Sequence, residues 1–277
     1  MDAARDPLSE SIDGAVPEGD GLHRVRLRDG RTAFLKQRRD RPATLLQAEA
    51  RGLRLLRSAG GVRVPDIYAE YPHALLLEDL GEGMPTEDFQ ARAAHGLARQ
   101  HLVVSSHFGL EHDGWCGDSP QDNTVDTDGH HFFATHRLQP QALRAHRSGY
   151  IDDADHARVQ RLCERLPEFI PRYSPSLLHG DLWSGNLHCC SNGEPALIDA
   201  GAAHYGWAEA DLAMLTLFGD PGPRFFAQYA EHAALASDWR ERAPLYNLYH
   251  LLNHLNLFGR GYLGAVRSVL RRFVGAA

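Results

Sequence analysis

One short stretch of the 277-residue chain concentrates side chains that could act together. It reads His179-Gly180-Asp181-Leu182-Trp183-Ser184-Gly185-Asn186, is led in by Leu177-Leu178, and is followed by Ala196-Leu197-Ile198-Asp199. A carboxylate at Asp181 can accept the proton of an attacking hydroxyl. Asn186 and Asp199 offer the hard oxygen ligands that Mg2+ takes when it bridges nucleotide phosphates, and Gly185 permits a backbone bend between them. A lone His-x-Asp pair is common and more often marks a turn with a satisfied histidine. The Asn five positions beyond Asp181 and a second Asp after a strand-like run are what make phosphoryl transfer the reading. His179 is expected to orient the loop by hydrogen bonding rather than to react.

The amino half supplies complementary parts. Lys36 falls on the far strand of a hairpin and Glu49 in the helix that follows, as a lysine gripping the α and β phosphates of ATP while paired to a helix glutamate requires. Gly19, in Gly19-Asp20-Gly21, is a candidate for a loop over the phosphates, although the stretch is not G-x-G-x-x-G. Glu78 and Leu80, in Leu77-Glu78-Asp79-Leu80, could present backbone groups to adenine beside an apolar slot; packing of a buried strand explains the leucines equally well.

These groups need elements to hold them. Val25, Leu27, Phe34 and Leu35 flank the turn signal Asp29-Gly30, which predicts a hairpin over Leu22 to Gln37. Leu45, Leu46, Leu53 and Leu56 recur at helical spacing over Thr44 to Ala59, with Thr44 and Gln47 as a capping box and Gly60-Gly61 as the stop. Ile67 to Glu70 and Ala74 to Leu80 read as two more strands, after which sheet content is expected to end. Beyond Gly81-Glu82-Gly83 helices are predicted at Thr86 to His107, Gln139 to Arg147, Asp155 to Phe169, Ala208 to Gly219, Arg224 to Ala236, Arg242 to Phe258 and Tyr262 to Phe273. Only Ser176 to Ile198 interrupts that helical half, and it holds the reactive stretch.

Composition narrows the class. A hydrophobic fraction of 43% and a charged fraction of 23% are those of a globular chain, and 26 Gly with 15 Pro exclude collagen-like or low-complexity sequence. The net charge of −7 offers no global positive field for nucleic acid or anionic lipid. Met1 to Glu10 lacks the basic start and apolar run of a secretory signal, and no apolar stretch is long enough to span a bilayer, so a cytoplasmic protein is expected. Cys116, Cys163, Cys189 and Cys190 show no C-x-x-C spacing and are expected to be reduced thiols in or near the core.

The order of parts resembles the protein-kinase-like superfamily, and more closely the fructosamine/ketosamine 3-kinase family, relatives of aminoglycoside and choline kinases. The match is carried by the His179 to Asn186 stretch, by Ala208-Glu209-Ala210-Asp211-Leu212-Ala213-Met214, by Pro120-Gln121-Asp122-Asn123 and by Leu251-Leu252-Asn253-His254-Leu255-Asn256-Leu257-Phe258-Gly259. The resemblance implies an α+β bilobal fold, with a small β-rich lobe carrying one main helix over residues 1–80 and a larger, mostly helical lobe over 81–277. It implies ATP and Mg2+ as cofactors and phosphorylation of the 3-hydroxyl of a ketosamine, free or protein-linked, whose unstable 3-phosphate then releases the amine. Other expectations remain beside it: a kinase for an aminoglycoside or choline, or a nucleotide-binding pseudokinase, the last disfavoured by an intact Lys36, Glu49, Asp181, Asn186 and Asp199.

Four further residues have simpler roles open to them. Trp183, two residues from Asp181, could offer its ring to the sugar or fill a gap, and substrate contact is the reading taken. Asp211 is expected to hold the catalytic loop through its backbone. His250 and His254 share a helix face at i and i+4, a geometry zinc can use, but no H-E-x-x-H or third ligand accompanies them in the sequence. No metal site is therefore expected there, and His254 is assigned to the substrate site.

Overall fold

Residues 12–19 and 21–275 are described by a computed structural model of the chain. Asp20, from the expected phosphate loop, and the Met1 to Glu10 stretch lie outside the described residues. Five antiparallel strands, β1 (Ile12–Gly19), β2 (Leu22–Leu27), β3 (Thr32–Gln37), β4 (Ile67–Tyr71) and β5 (Ala74–Glu78), pair in the order β1-β2-β3-β5-β4. The Asp29-Gly30 turn closes β2 onto β3 with Gly30 at φ 87, placing Lys36 opposite Leu22 on one side and Leu75 on the other. β1 has no counterpart in the sequence reading. Its Asp13, Gly14 and Pro17 depress strand propensity, and it survives as an edge strand, the place where a sheet tolerates proline.

The unbroken apolar run of β5 follows from burial on both faces. Ala74 and Leu76 pack with Val25, Leu27, Ala33 and Leu35 on one side, and Leu75 and Leu77 face the helix α1 (Thr44–Ala59) on the other, against Leu46, Leu53 and Leu56. α1 stops where Gly60 adopts the left-handed conformation and returns its N–H to the Arg57 carbonyl. Its start differs from expectation. Ala43 is the N-cap, already helical at φ −56, so Thr44 sits inside the first turn and the Thr44/Gln47 capping box does not form; the Pro42 carbonyl accepts the Leu45 N–H instead. Buried Gly52 lets α1 touch the backbone of residues 200–202, because a Cβ there would overlap the Ala200 carbonyl oxygen.

The remainder is mostly helical: α2 (Phe89–His101), α3 (Gly129–Phe133), α4 (Gln139–Arg147), α5 (Asp153–Phe169), α6 (Ala208–Leu215), α7 (Pro223–Ala230), α8 (Trp239–Phe258) and α9 (Leu263–Val274). A π-helical turn, Ala134–Leu138, joins α3 to α4. α2 is shorter than the predicted Thr86 to His107. Past His101 the chain extends, the Val103 carbonyl accepting the Leu177 N–H and the Ser105 N–H reaching Pro175 O. Nor does sheet content end near residue 80. Three two-stranded ladders follow among the described residues: β6 (Gly114–Cys116) with β7 (Ser119–Gln121), β8 (Ser176–Leu178) with β11 (His204–Gly206), and β9 (Leu187–Cys189) with β10 (Pro195–Leu197). At three residues each they are too short for a period-two pattern to register.

α8 is the central post of this half, with Leu245, Tyr246, Leu248, Tyr249, Leu252 and Leu255 all buried. A bidentate pair ties it to α6: Arg242 donates Nε and a terminal nitrogen to the Glu209 carboxylate at 2.9 and 2.6 Å. The four cysteines are unpaired, and Cys116, Cys163 and Cys190 are buried. No helix among the described residues is long and apolar enough to cross a membrane.

Candidate active site

β8 delivers the chain into His179-Gly180-Asp181, and α6 holds the loop in place. Asp211 accepts the backbone N–H of His179 at 2.7 Å and of Gly180 at 2.9 Å. Gly180 stands at φ 83, where a Cβ would also overlap Ala202 O, so glycine is required for both strain and space. The His179 Nε2 faces the Ile198 carbonyl at 2.8 Å and must donate to it, leaving Nδ1 to accept the Asp181 N–H at 3.3 Å. Burial lowers the His179 pKa, which keeps this tautomer neutral. Burial would raise Asp211, but hydrogen bonds and charge from His101, with the loop N–H groups, win and hold it below the usual range. Asp181 has no such donors among the described residues. Burial, then repulsion from Asp211, pushes it up to about 7.

The two oxygen donors converge beside it. Asn186, in the 3-10 turn Ser184–Asn186, donates Nδ2 to the Asp181 carbonyl at 2.8 Å, and its own carbonyl accepts the Ile198 N–H. Its side-chain oxygen takes no donor among the described residues. Asp199, the one non-glycine residue at positive φ among them, sits at φ 59, ψ 49 with its carboxylate half exposed. Left-handed backbone outside glycine concentrates at functional sites, and Asp tolerates it better than most. Lys36, the only lysine in the sequence, is held by Glu49 with Nζ 2.6 Å from Oε1 and also pairs with the Asp199 carboxylate. The close approach of α1 to residues 200–202 over Gly52 sets the spacing of all three.

Two adjoining cavities meet at Lys36, Arg38 and Asp199. One, of about 270 Å3, is an apolar slot walled by Leu22, Phe34, Leu77, Leu80 and Ile198. The other, of about 250 Å3, is lined by Glu49, Trp115, Asp118, Asp181, Trp183 and Asn186. At the slot, the Leu80 N–H donates to no acceptor among the described residues. The Glu78 groups are largely engaged: its N–H goes to Asp66 O, and its carboxylate pairs with Arg63 at 2.6 Å and accepts the Asp66 N–H. Gly19 sits at the β1–β2 turn, next to the strand pair of Lys36, but lines neither cavity.

Trp183 lines the second cavity beside Asp181 and is 39% exposed. His254 does not line it. Its ring packs on Phe218, Phe258 and Tyr262 at 5.0–5.3 Å, and Phe218 in turn meets the Trp183 ring edge-on. His254 is thus one ring removed from Trp183, with a buried Nδ1 that has no hydrogen-bond partner among the described residues. Arg38, Trp115 and Asp118 escaped the sequence reading. Arg38 was within reach of it, since it directly follows β3 and stands two positions past Lys36, the spacing at which an extended chain returns to the same face. Trp115 and Asp118 arrive from the short β6–β7 hairpin and carried no signal.

The model of the family described as "Fructosamine kinase" matches residues 11–275. A Synechocystis protein named as a ketoamine kinase is 36% identical over 245 residues, 86% of this chain and 82% of that protein. The chloroplastic protein-ribulosamine 3-kinase of Arabidopsis thaliana is 33% identical over 251 residues, 87% of this chain and 76% of the relative. A crystal structure from Thermobifida fusca, bearing the name fructosamine-3-kinase, superposes with a TM-score of 0.87 at 35% identity, covering 97% of this chain and 96% of that one.

Proposed function

The chain belongs to the fructosamine kinase family, and on that premise we propose that it transfers the terminal phosphoryl group of ATP to the 3-hydroxyl of a ketosamine. The observation that carries this reading is Lys36, held by Glu49 and Asp199 where the apolar slot opens onto the cavity of Asp181 and Asn186. The donor set fits the cofactors. Asn186 and Asp199 bring the oxygens that Mg2+ prefers, and a lysine with a helix glutamate behind it fits a polyphosphate. Bound Mg2+ supplies neutralisation of phosphate charge. The amino-terminal lobe, ending near residue 80, takes the nucleotide: Leu80 offers its N–H to the adenine edge, the Glu78 backbone lies alongside, and the β1–β2 turn at Gly19 covers the phosphates.

Asp181 then accepts the proton of the sugar hydroxyl, its raised pKa making it a stronger base than a solvated carboxylate. Trp183 gives its ring to the apolar face of the sugar, and His254 supports that side through Phe218. The ketosamine's protonated amine suits a chain of net charge −7. Phosphorylation at the 3-position destabilises the adduct and the amine leaves, so the role is deglycation. An enzyme for glycated amines that carries a single buried lysine offers almost no side-chain amine of its own to sugars. Four unpaired cysteines suit a reducing compartment, the cytoplasm.

The test is ATP consumption across fructosamines, ribulosamines, an aminoglycoside and choline. Turnover confined to the ketosamines is expected. Turnover on an aminoglycoside or choline alone would overturn the substrate assignment.

A further inference from the structure

Three chemically different donors meet behind the catalytic loop from distant parts of the sequence. Cys116 comes from β6, His250 from α8, and Asp181 from the loop itself. Cys116 Sγ lies 3.8 Å from His250 Nδ1, that nitrogen lies 3.6 Å from Asp181 Oδ1, and the three atoms are all within 4.8 Å of one another. Zinc bonds to thiolate, imidazole and carboxylate run about 2.3, 2.0–2.1 and 2.0–2.2 Å, so a tetrahedral ion would set S···N near about 3.6 Å and N···O near about 3.4 Å. The side chains already stand within a few tenths of an ångström of both edges.

We propose that Cys116, His250 and Asp181 form a Zn2+-binding site whose occupation removes the catalytic carboxylate and stops phosphoryl transfer. In sequence His250 has only His254 beside it and no third ligand; the fold replaces His254 with a thiol and a carboxylate. The donors choose the metal. Sulfur and nitrogen suit zinc, whereas Mg2+ takes oxygen and stays with Asn186 and Asp199. Thiolate and carboxylate balance the two charges of the ion. Burial pushes the His250 pKa down to about 3, so its ring is neutral and its lone pair available. Burial also raises the Cys116 thiol, which therefore enters as a thiol; coordination forms the S–Zn bond and releases that proton to water, with no change of oxidation state.

The surroundings match a site of this kind. Asn253 Nδ2 lies 3.4 Å from Cys116 Sγ and donates to the Cys116 carbonyl at 3.1 Å, an outer-shell donor able to stabilise a thiolate. Cys116 and His250 are buried, but Asp181 and both neighbours of Cys116, Trp115 and Gly117, line the open 250 Å3 cavity. That cavity is the entry path, and it leaves the fourth position to water.

Binding rests on the geometry alone, while inhibition also rests on Asp181 being the base, so each is read separately. Co2+ added to the full chain should give the thiolate-to-cobalt charge-transfer band and the intense visible bands of a tetrahedral site, lost in Cys116→Ser. Zn2+ titrated against a chromophoric chelator should bind at least about tenfold more weakly to Cys116→Ser and to His250→Gln, each serving should the other fail to fold. His232→Ala, which dismantles the exposed His95–Glu231–His232 cluster, should change neither result. With Mg·ATP saturating, Zn2+ should lower kcat reversibly, and Cys116→Ser should turn over normally without zinc and resist it. Absence of the sulfur band, or zinc affinity lost only with His232→Ala, overturns the site. Zinc bound through Cys116 with turnover intact overturns the inhibition and the assignment of Asp181 as base.

Discussion

Asp211 accepts the His179 backbone N–H at 2.7 Å across 32 residues of sequence, and with the neighbouring Gly180 N–H this fixes the loop that carries Asp181. Both carboxylate oxygens are committed, since Oδ2 also faces His101 Nε2 at 3.3 Å. Asp211→Asn turns one acceptor into a donor aimed at an N–H. We expect a stability loss of about 2–3 kcal/mol, the cost of buried donors left without acceptors. Urea unfolding measures it, and a loss below about 0.5 kcal/mol, the scale of a neutral surface change, would show the loop is held some other way.

Hydrogen bonding separates the two buried aspartates of this loop system, and the pH profile should show it. If Asp181 is the base, it must be ionised to act, and kcat/KM should then fall on the acid side with an apparent pKa of about 7. Asp181→Asn should lose that limb and about 10²–10⁴-fold in turnover. The same shift affects stability. Asp181 titrates near about 3.9 when unfolded, so its contribution is present below that value and lost as pH rises through about 7. Asp181→Asn should therefore raise Tm more at pH 8 than at pH 4.5. An equal effect at both would contradict the shift.

Asp199 combines charge with an unusual backbone, and substitutions can separate them. Asn tolerates the left-handed conformation, so Asp199→Asn should fold normally yet weaken Mg·ATP binding by about tenfold or more. Asp199→Ala should do the same and also lose about 1 kcal/mol from backbone strain. Glu49→Ala should act on nucleotide affinity only by releasing Lys36. Calorimetry showing unchanged Mg·ATP affinity in Asp199→Asn would move the metal site elsewhere.

How much was legible in the sequence depended on whether a signal was local. The β2–β3 hairpin was, because Asp29-Gly30 and its flanking apolar residues lie within sixteen positions. α1 was, because its leucines recur at 3.6 and Gly60 stops it. The His179 to Asn186 stretch and Asp199 stood out because their spacing is covalent. β1 was not, since its Gly and Pro argue against a strand and only pairing with β2 rescues it. Nor was the Cys116–His250 contact, which spans 134 residues and depends on α8 passing behind β6. The Thr44–Gln47 capping box does not form, because a cap needs an extended backbone and the chain is already helical from Ala43.

Gly52 offers a test of whether the two lobes are coupled through packing. A methyl group there would overlap the Ala200 carbonyl oxygen, so α1 must move away from residues 200–202 and carry Glu49 with it. Gly52→Ala should cost about 1–3 kcal/mol, as overpacking does, and should raise KM for ATP more than KM for the ketosamine. Equal changes in the two KM values, or none, would mean that α1 and Asp199 are set independently.

Gly185 and Trp183 together test the proposed acceptor side. A Cβ at Gly185 would fall inside the Trp183 indole, so the glycine exists to let that ring lie against the 3-10 turn beside Asp181. Trp183→Ala removes the ring, whereas Gly185→Ala keeps it and displaces it. If the indole is the platform for the sugar, both should raise KM for a fructosamine or ribulosamine. Gly185→Ala should also lower kcat, because a displaced ring mis-sets the hydroxyl against Asp181 and small misplacements cost up to about 10²-fold. KM for ATP should stay within about twofold in each, since Trp183 does not line the apolar slot proposed for the nucleotide. Steady-state kinetics with each substrate varied in turn decides it: a defect confined to ATP, or Gly185→Ala behaving as wild type, would mean that Trp183 fills space and does not hold the sugar.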